Sequence, residues 1–212
     1  MDLVDPRAER YASAHTTPHP PATAAAAAWT DAHSGSQQMA SALVESRLLA
    51  ALVMVGDARR VLEVGTFTGV GALALAERIA PGGTVITIES DAARAEVARR
   101  HIDAGPLADR IDLRVGDARE IVRELEGPFD LVFLDAWKPD YIDYYEAVVP
   151  KLSDRGVLVA DNVLARGQVL EGGGSERGHV LQAFNDHVQA DPRVDNVLLT
   201  VGDGLMLAWR TA

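Results

Sequence analysis

The chain has 212 residues, 48% of them hydrophobic, and a formal net charge of −11 at pH 7. That length gives one domain a substantial core and is too short for two full ones. The charge disfavours a nucleic-acid partner over any large surface, no apolar run approaches the roughly 18 residues of a membrane span, and with no cysteine there is neither a disulfide framework nor a thiolate centre.

The first residues, Met1-Asp-Leu-Val-Asp-Pro6, have neither the basic nor the apolar region of a secretory signal, so a cytoplasmic enzyme is the expectation. Residues 1–35 are rich in alanine and proline. Asp5 to Ala14 reads as a short helix, Pro18-His-Pro-Pro21 breaks it, and Thr23 to Trp29 reads as a second helix with Thr23 as N-cap. This N-terminal stretch is either a partly ordered tail or a helical arm that covers a site or packs on a second subunit. Residues 36–212 form the main domain. It opens with an amphipathic helix from Ser36 to Met54, which Gly56-Asp57 ends.

Strands and helices then alternate. Strand Arg60 to Val64 precedes helix Val70 to Ile79, strand Thr84 to Glu89 precedes helix Asp91 to Asp103, and strand Ile111 to Val115 precedes helix Asp117 to Leu125. Strand Phe129 to Leu134, helix Tyr141 to Val149 and strand Gly156 to Ala160 follow. The alternation predicts an α/β fold, a doubly wound parallel sheet with helices on both faces. Ala165 to Gly178 is the one long irregular connection. After a helix from Val180 to Gln189, strands Asn196 to Val201 and Leu205 to Trp209 are joined by the turn Gly202-Asp-Gly204, a hairpin that forces one antiparallel strand.

Two constellations carry chemistry. The strand Phe129 to Leu134 stops on Asp135, with Lys138 three residues on, and the strand Gly156 to Ala160 stops on Asp161-Asn162. If the strands are neighbours, their tips lie about 4.8 Å apart, at the carboxyl edge where open α/β sheets bind ligands. Oxygen ligands of this kind suit a hard cation, Mg²⁺ or a similar divalent ion such as Mn²⁺ or Ca²⁺, over zinc. The opposing view is that Asp at a strand end caps a helix or starts a turn. Lys138 and Lys151 are the only lysines among 20 basic residues. A lysine can give up its proton near a cation, and arginine effectively cannot.

The other constellation is Gly65-Thr66-Phe-Thr-Gly69-Val-Gly71 after the first strand. It lets a ligand approach the backbone and offers N–H groups at a helix start. It lacks the Gly-Lys-Ser/Thr of a phosphate loop, and its glycine order is not that of the dinucleotide fingerprint. Glu89, at the end of the second strand, would accept the hydroxyls of a ribose. Gly116-Asp117-Ala118, after the third, could reach an adenine. A nucleoside-bearing cofactor follows. The histidines at 101, 179 and 187 have no ligand spacing, His33 could touch a ligand, Tyr141, Tyr144 and Tyr145 pack the helix after Lys138, and Trp209 reads as sheet core.

Glu63-Val-Gly65-Thr-Phe-Thr-Gly69, Glu89, Val115-Gly-Asp117-Ala, Asp130-Leu-Val-Phe-Leu-Asp135-Ala-Trp-Lys138, Gly156 to Asn162 and Val201-Gly-Asp-Gly204 together resemble the cation-dependent O-methyltransferases, the family of catechol and caffeoyl-CoA O-methyltransferases. The resemblance runs from about Met39 to Trp209. It implies a Rossmann-like seven-stranded sheet with an antiparallel last strand. It also implies S-adenosylmethionine in a pocket of Met39, Glu63, Gly65, Thr66, Gly69, Glu89, Ser90, Gly116, Asp117, Ala118 and Asp135.

The resemblance further implies Mg²⁺ on Asp135, Asp161 and Asn162, with Lys138 as candidate base and Trp137, Lys138, Asn162 and Arg166 at the substrate. Trp137 stands where the catechol enzyme packs a tryptophan on its aromatic substrate and the caffeoyl-CoA enzymes usually carry an acid, which leans toward a small catechol over a thioester. Ser46, where many members have glycine, and Arg166, near a proline rim of the catechol enzyme, depart from the pattern. Homodimers are frequent in that family. The expected reaction moves a methyl group from S-adenosylmethionine to one hydroxyl of a vicinal dihydroxy aromatic small molecule, with no nucleic acid and no membrane as partner. The rivals are a caffeoyl-CoA-like thioester methyltransferase, a nicotinamide-dependent oxidoreductase, a nucleic-acid methyltransferase and a non-catalytic cofactor-binding module.

Overall fold

The computed structural model describes residues 4–33, 43–171 and 174–211. Short runs such as Val61-Leu-Glu-Val64 and Leu131-Val-Phe-Leu134 are buried on both faces, as strands of a covered parallel sheet must be. Seven strands, β1 (Arg60–Val64), β2 (Thr84–Glu89), β3 (Ile111–Val115), β4 (Phe129–Leu134), β5 (Leu152–Asp161), β6 (Val194–Leu199) and β7 (Leu205–Arg210), form one sheet in the order β3-β2-β1-β4-β5-β7-β6. Only β7 runs antiparallel to its neighbours, as the terminal hairpin requires. The order reverses direction between β1 and β4, which makes that gap the topological switch point.

Three helices pack on each face. Leu62, Val64, Val132, Leu134, Leu158 and Ala160 pack with Val122, Tyr145 and Phe184 from α6 (Ala118–Glu124), α7 (Tyr141–Val148) and α8 (Glu176–Ala190). Val61, Leu131, Phe133, Val159 and Leu207 meet Leu49, Val53 and Leu75 from α3 (Leu43–Val55) and α4 (Val70–Ala76), while α5 (Ala92–Asp103) covers Leu113 of β3. Among the described residues no helix is long and apolar enough to cross a membrane.

The N-terminal helices, α1 (Pro6–Ala14) and α2 (Pro21–His33), are laid over α3, α4 and α5. Arg47 of α3 fastens them. Its guanidinium donates to the Thr17 and Pro18 carbonyls at 3.0 and 2.7 Å and to Glu77 at 2.5 Å, and Thr23 donates to the same Glu77 carboxylate at 2.9 Å.

Several boundaries differ from expectation. Thr23 is not an N-cap: α2 starts at Pro21, because a proline with a preset φ and no N–H to satisfy suits the first helical position, and Thr23 is buried inside the helix. The helix expected from Ser36 is described from Leu43 onward; 36–42 lie outside the described residues, and Met39 with them. Residues 165–178 are not simply irregular. Ala165–Glu171 is a 3₁₀ segment kinked at Arg166 and Gly167, and α8 begins at Glu176, where Gly178 N donates to the Ser175 hydroxyl oxygen at 3.0 Å. Trp209 is not sheet core. It stands 37% exposed.

Candidate active site

The carboxyl ends of β3, β2, β1, β4 and β5 line up along one edge of the sheet and bring the expected residues there in that order. At the switch point, Gly65 has φ +101°, and a Cβ on it would overlap the backbone carbonyl of Asp135. Only glycine lets the tips of β1 and β4 close up in this way. Gly65 N and Thr66 N both donate to Ile88 O, at 3.0 and 3.1 Å. Phe67 N donates to Glu89 Oε2 at 2.7 Å, and Asp91 N to Glu89 Oε1 at 3.0 Å. Glu89 therefore holds the loop and the start of α5 together, and a carboxylate with about four lone-pair sites still has acceptor capacity for a ligand. Ser90 is exposed beside it. Gly116 N donates to Glu89 O at 3.0 Å, which sets the β3 turn against β2; Asp117 then caps α6 through Arg119 N at 2.8 Å, with Ala118 buried behind it.

Glu63 lies beneath this loop. It pairs in register with Thr87 on the face under α4, and Thr87 donates to Glu63 Oε2 at 2.5 Å while also bonding to the Thr66 hydroxyl. Its other oxygen fills the space that a side chain at Gly71 would need. Burial is the main reason its carboxyl is pushed up to about 8; the Thr87 bond opposes this, and Asp135 and Glu89 add to it.

On the other side of the switch point, Leu134 of β4 pairs with Ala160 of β5, so Asp135 and Asp161 leave the sheet side by side. Lys138 Nζ donates to Asp135 Oδ1 at 2.9 Å and to Tyr141 Oη at 2.6 Å. The buried Tyr141 hydroxyl is within reach of both strand tips, 2.9 Å from Leu134 O and 3.1 Å from Asp161 O. Burial holds that phenol well above its ordinary 10.0. Burial also pushes the Asp161 carboxyl up, the neighbouring Asp135 carboxylate adds to the shift, and Lys138 works against it. Asn162 sits at φ +61°, a left-handed conformation that asparagine tolerates better than most residues, and its N–H donates to Asp161 Oδ1 at 2.5 Å. Trp137 stands 70% exposed at the rim.

The hairpin turn between β6 and β7 fastens the chain that leaves β5. Val163 N and Leu164 N donate to Gly204 O and Asp203 O at 3.1 and 2.9 Å, and Arg166 N donates to Asp203 Oδ1 at 2.5 Å. This holds Arg166, exposed and at φ +54°, near the acceptor side. A Cβ at Gly204 would run into Leu164.

Two groups escaped sequence reasoning in their actual roles. Tyr141 ties Lys138 to both strand tips, and its spacing from Lys138 was the signal for it. Asp203 anchors the post-β5 segment, and only the three-dimensional return of the hairpin reveals that. His101, by contrast, is structural, with Nδ1 2.8 Å from Thr68 O. Among the described residues no three or more His, Cys, Asp or Glu side chains cluster as metal ligands; the expected set contains only two carboxylates and an amide.

An open sheet with a glycine turn after its first strand, acidic tips on its second and fourth, and an antiparallel strand inserted last defines a Rossmann-like methyltransferase. Residues 20–211 match the family model described as O-methyltransferase. A catechol O-methyltransferase of Niastella koreensis is 35% identical over 77% of this chain and 79% of its own. Caffeoyl-CoA O-methyltransferase 1 of Eucalyptus globulus is 29% identical over 81% of this chain and 75% of its own. Among solved structures, the O-methyltransferase TomG of Streptomyces achromogenes, in complex with SAM, superposes with a TM-score of 0.87 at 29% identity, over 97% of this chain and 96% of that one. The chain belongs to the O-methyltransferase family that includes the catechol and caffeoyl-CoA enzymes. It is an S-adenosylmethionine-dependent O-methyltransferase.

Proposed function

We propose that the protein is a cytoplasmic, homodimeric enzyme that transfers the methyl group of S-adenosylmethionine to one hydroxyl of a small vicinal dihydroxy aromatic, with a divalent cation, Mg²⁺ or a similar ion, at the acceptor side. The observation that carries this reading is the pairing of Asp135 and Asp161 at adjacent strand tips, with Lys138 against Asp135, next to the Gly65 turn. The donor set fits such an ion. Burial, with the neighbouring Asp135 carboxylate adding to it, drives the Asp161 carboxyl up, and a dication between the two carboxylates would offset both. Asp135, Asp161 and Asn162 would hold it. When bound, an ion of this kind acidifies a phenol and orients two adjacent oxygens.

The chain's own residues do the rest. The Gly65–Gly69 turn and Glu89 hold the donor, with Gly116, Asp117 and Ala118 at its far end. Lys138, held by Asp135 and Tyr141, is the base in this reading: with the cation bound and Nζ neutral, it would take the hydroxyl proton there. Trp137 offers its exposed ring as one wall for a flat aromatic substrate. The Gly65 contact with Asp135 keeps donor and acceptor sides in register, and fixing both reactants near contact distance can supply several kcal/mol of a barrier.

The test is methyl transfer to a panel of catechols and caffeoyl-CoA, with Mg²⁺ and after chelation. Catechol methylation that EDTA stops and Mg²⁺ restores is expected. A full rate after exhaustive chelation removes the cation, and a preference for caffeoyl-CoA moves the enzyme to the thioester class.

A further inference from the structure

The turn from Gly65 to Gly69 is held from outside. Gly65, Phe67 and Gly69 all lie in the left-handed region, at φ +101°, +51° and +91°, and for Phe67, which carries a Cβ, that conformation is uncommon. Gly69 is the N-cap of α4 and supplies no side-chain cap. Within the turn, Gly69 N donates to Thr66 O at 2.9 Å. The two threonines are tied to different parts of the molecule. The Thr66 hydroxyl bonds to Thr87 on the sheet and through it to Glu63, whereas the Thr68 hydroxyl bonds to Thr30 of α2 at 2.7 Å.

Proton count fixes the direction of the tie to α2. A hydroxyl has a single proton, and Thr30 gives its own to Ala26 O at 2.7 Å, so Thr68 is the donor in the bond to Thr30. Thr30 is fully buried and Thr68 is 4% exposed, so loss of the Thr30 oxygen would strand a buried donor inside the turn. The same helix supports Thr68 a second time. Trp29 packs edge-on against His101, with ring centroids 5.3 Å apart, and His101 Nδ1 lies 2.8 Å from Thr68 O. What attaches α2 in return is modest. Its buried side chains are Thr23, Ala26 and Thr30 on one face, with Ala26 against Val70 and Leu73. Side chains this small bury little apolar area, which gives the bonds from Thr23 to Glu77 and between Thr30 and Thr68 a large share in keeping the helix docked.

We propose that Thr30 is a positioning residue for the methyl donor: acting through Thr68, it holds the Gly65–Gly69 turn in its binding conformation and so makes the N-terminal arm a working part of the donor site. This rests on the placement of the donor at that turn in the proposed function. Coupling between two sites is reciprocal. A bound donor therefore steadies α2 by the same free energy with which α2 improves donor binding.

The test is calorimetric titration of S-adenosylmethionine into the full chain and into Thr30→Val, Thr30→Ser and Glu89→Gln, each checked for an unchanged circular dichroism spectrum. Thr30→Val keeps the shape and loses the hydroxyl, so donor Kd should rise at least about fivefold, with kcat at saturating donor and the acceptor KM unchanged. Thr30→Ser should recover the parent's affinity. Amide hydrogen exchange in α2 of the parent should slow when the donor is added, with α8 as the unaffected reference, and Thr30→Val should lose that response. A contact that only stabilised the fold would loosen α2 with or without donor and leave this difference in place. Parent affinity in Thr30→Val, or an equal loss in Thr30→Ser, overturns the proposal. So does exchange in α2 of the parent that ignores the donor, a result that decides the matter even if Thr30→Val does not fold. Glu89→Gln separates the proposal from the reading beneath it. If it weakens donor binding and Thr30→Val does not, the role of Thr30 falls alone; if neither does, the donor does not sit at this turn and both fall.

Discussion

Lys138 is held by two bonds, and both partners matter in ways that substitution can separate. Lys138→Arg retains the charge and the contact with Asp135 but cannot accept a proton, so kcat should fall at least about 100-fold, as for loss of a general base. Steady-state kinetics across neutral pH checks this, and an unchanged kcat removes Lys138 from proton transfer. Tyr141→Phe acts differently. It strips Lys138 of one acceptor and leaves Leu134 O and Asp161 O with one partner fewer. A stability loss of about 1–3 kcal/mol is expected, with kcat reduced and donor affinity unchanged; calorimetric titration of the donor separates the two.

Glu63 gives a pH signature. Its folded carboxyl, at about 8, lies above the ordinary value of 4.5, so the folded state holds a proton that the unfolded chain has already released. The protonated acid's contribution is complete below about pH 4.5 and is lost as pH rises through about 8. Glu63→Gln does not titrate. The unfolding free energy of the parent relative to the variant should therefore fall between pH 5 and pH 8, by on the order of 3–5 kcal/mol, and level off above. Urea titrations at three pH values measure this, and a difference independent of pH refutes the buried acid.

Among the elements, the β1 turn and the Arg47 clamp are the most exposed to single changes. Gly65→Ala forces a side chain into the Asp135 carbonyl at a left-handed φ. Loss of donor binding and destabilisation beyond about 2 kcal/mol are expected, read by calorimetric titration and chemical denaturation. Arg47→Ala would leave Glu77 buried without its cation and release the Thr17 and Pro18 carbonyls. A loss of about 3–5 kcal/mol follows if the pair behaves as other buried ones do, together with faster proteolysis between α1 and α2.

How far these elements were legible in the sequence depends on the range of the forces that set them. Strands β1 to β4 were readable to the residue, because short runs rich in Val, Ile, Leu and Phe between turn residues are local facts. The Ser175 cap and the early start of α8 were missed: three glycines nearby drew the reading toward a loop. Thr23 was misread because the Glu77 carboxylate that binds it lies 54 residues away. The Asp135, Asp161 and Lys138 grouping was legible once adjacency of two strands was assumed. The role of Asp203 was not, since it depends on where a hairpin folds back. Trp209 misled for a related reason: an indole in a strand reads as core, and its exposure is set by elements far from it in the sequence.

At the scale of the whole molecule, the sheet divides into a donor half, β3-β2-β1, and an acceptor half, β4-β5-β7-β6, with the switch point between them. Substitutions at Trp137 and Arg166, which belong to the acceptor half, should therefore alter acceptor preference more than donor affinity; competition among catechols measures the first and titration the second. Cutting the chain after Thr200 removes β7, which has partners on both sides. A loss of the cooperative thermal transition is expected, seen by circular dichroism.

That insertion also sets a schedule for synthesis. The strand made last is wedged between β5 and β6, which are already on hand when it emerges from the ribosome, and its preceding turn holds the segment leaving β5. The residues expected around the methyl donor are all made before the strand that closes the acceptor side. Newly made molecules thus pass through an interval in which Leu158 and Ala160 lie along a bare edge, and that interval is when a chaperone would find them.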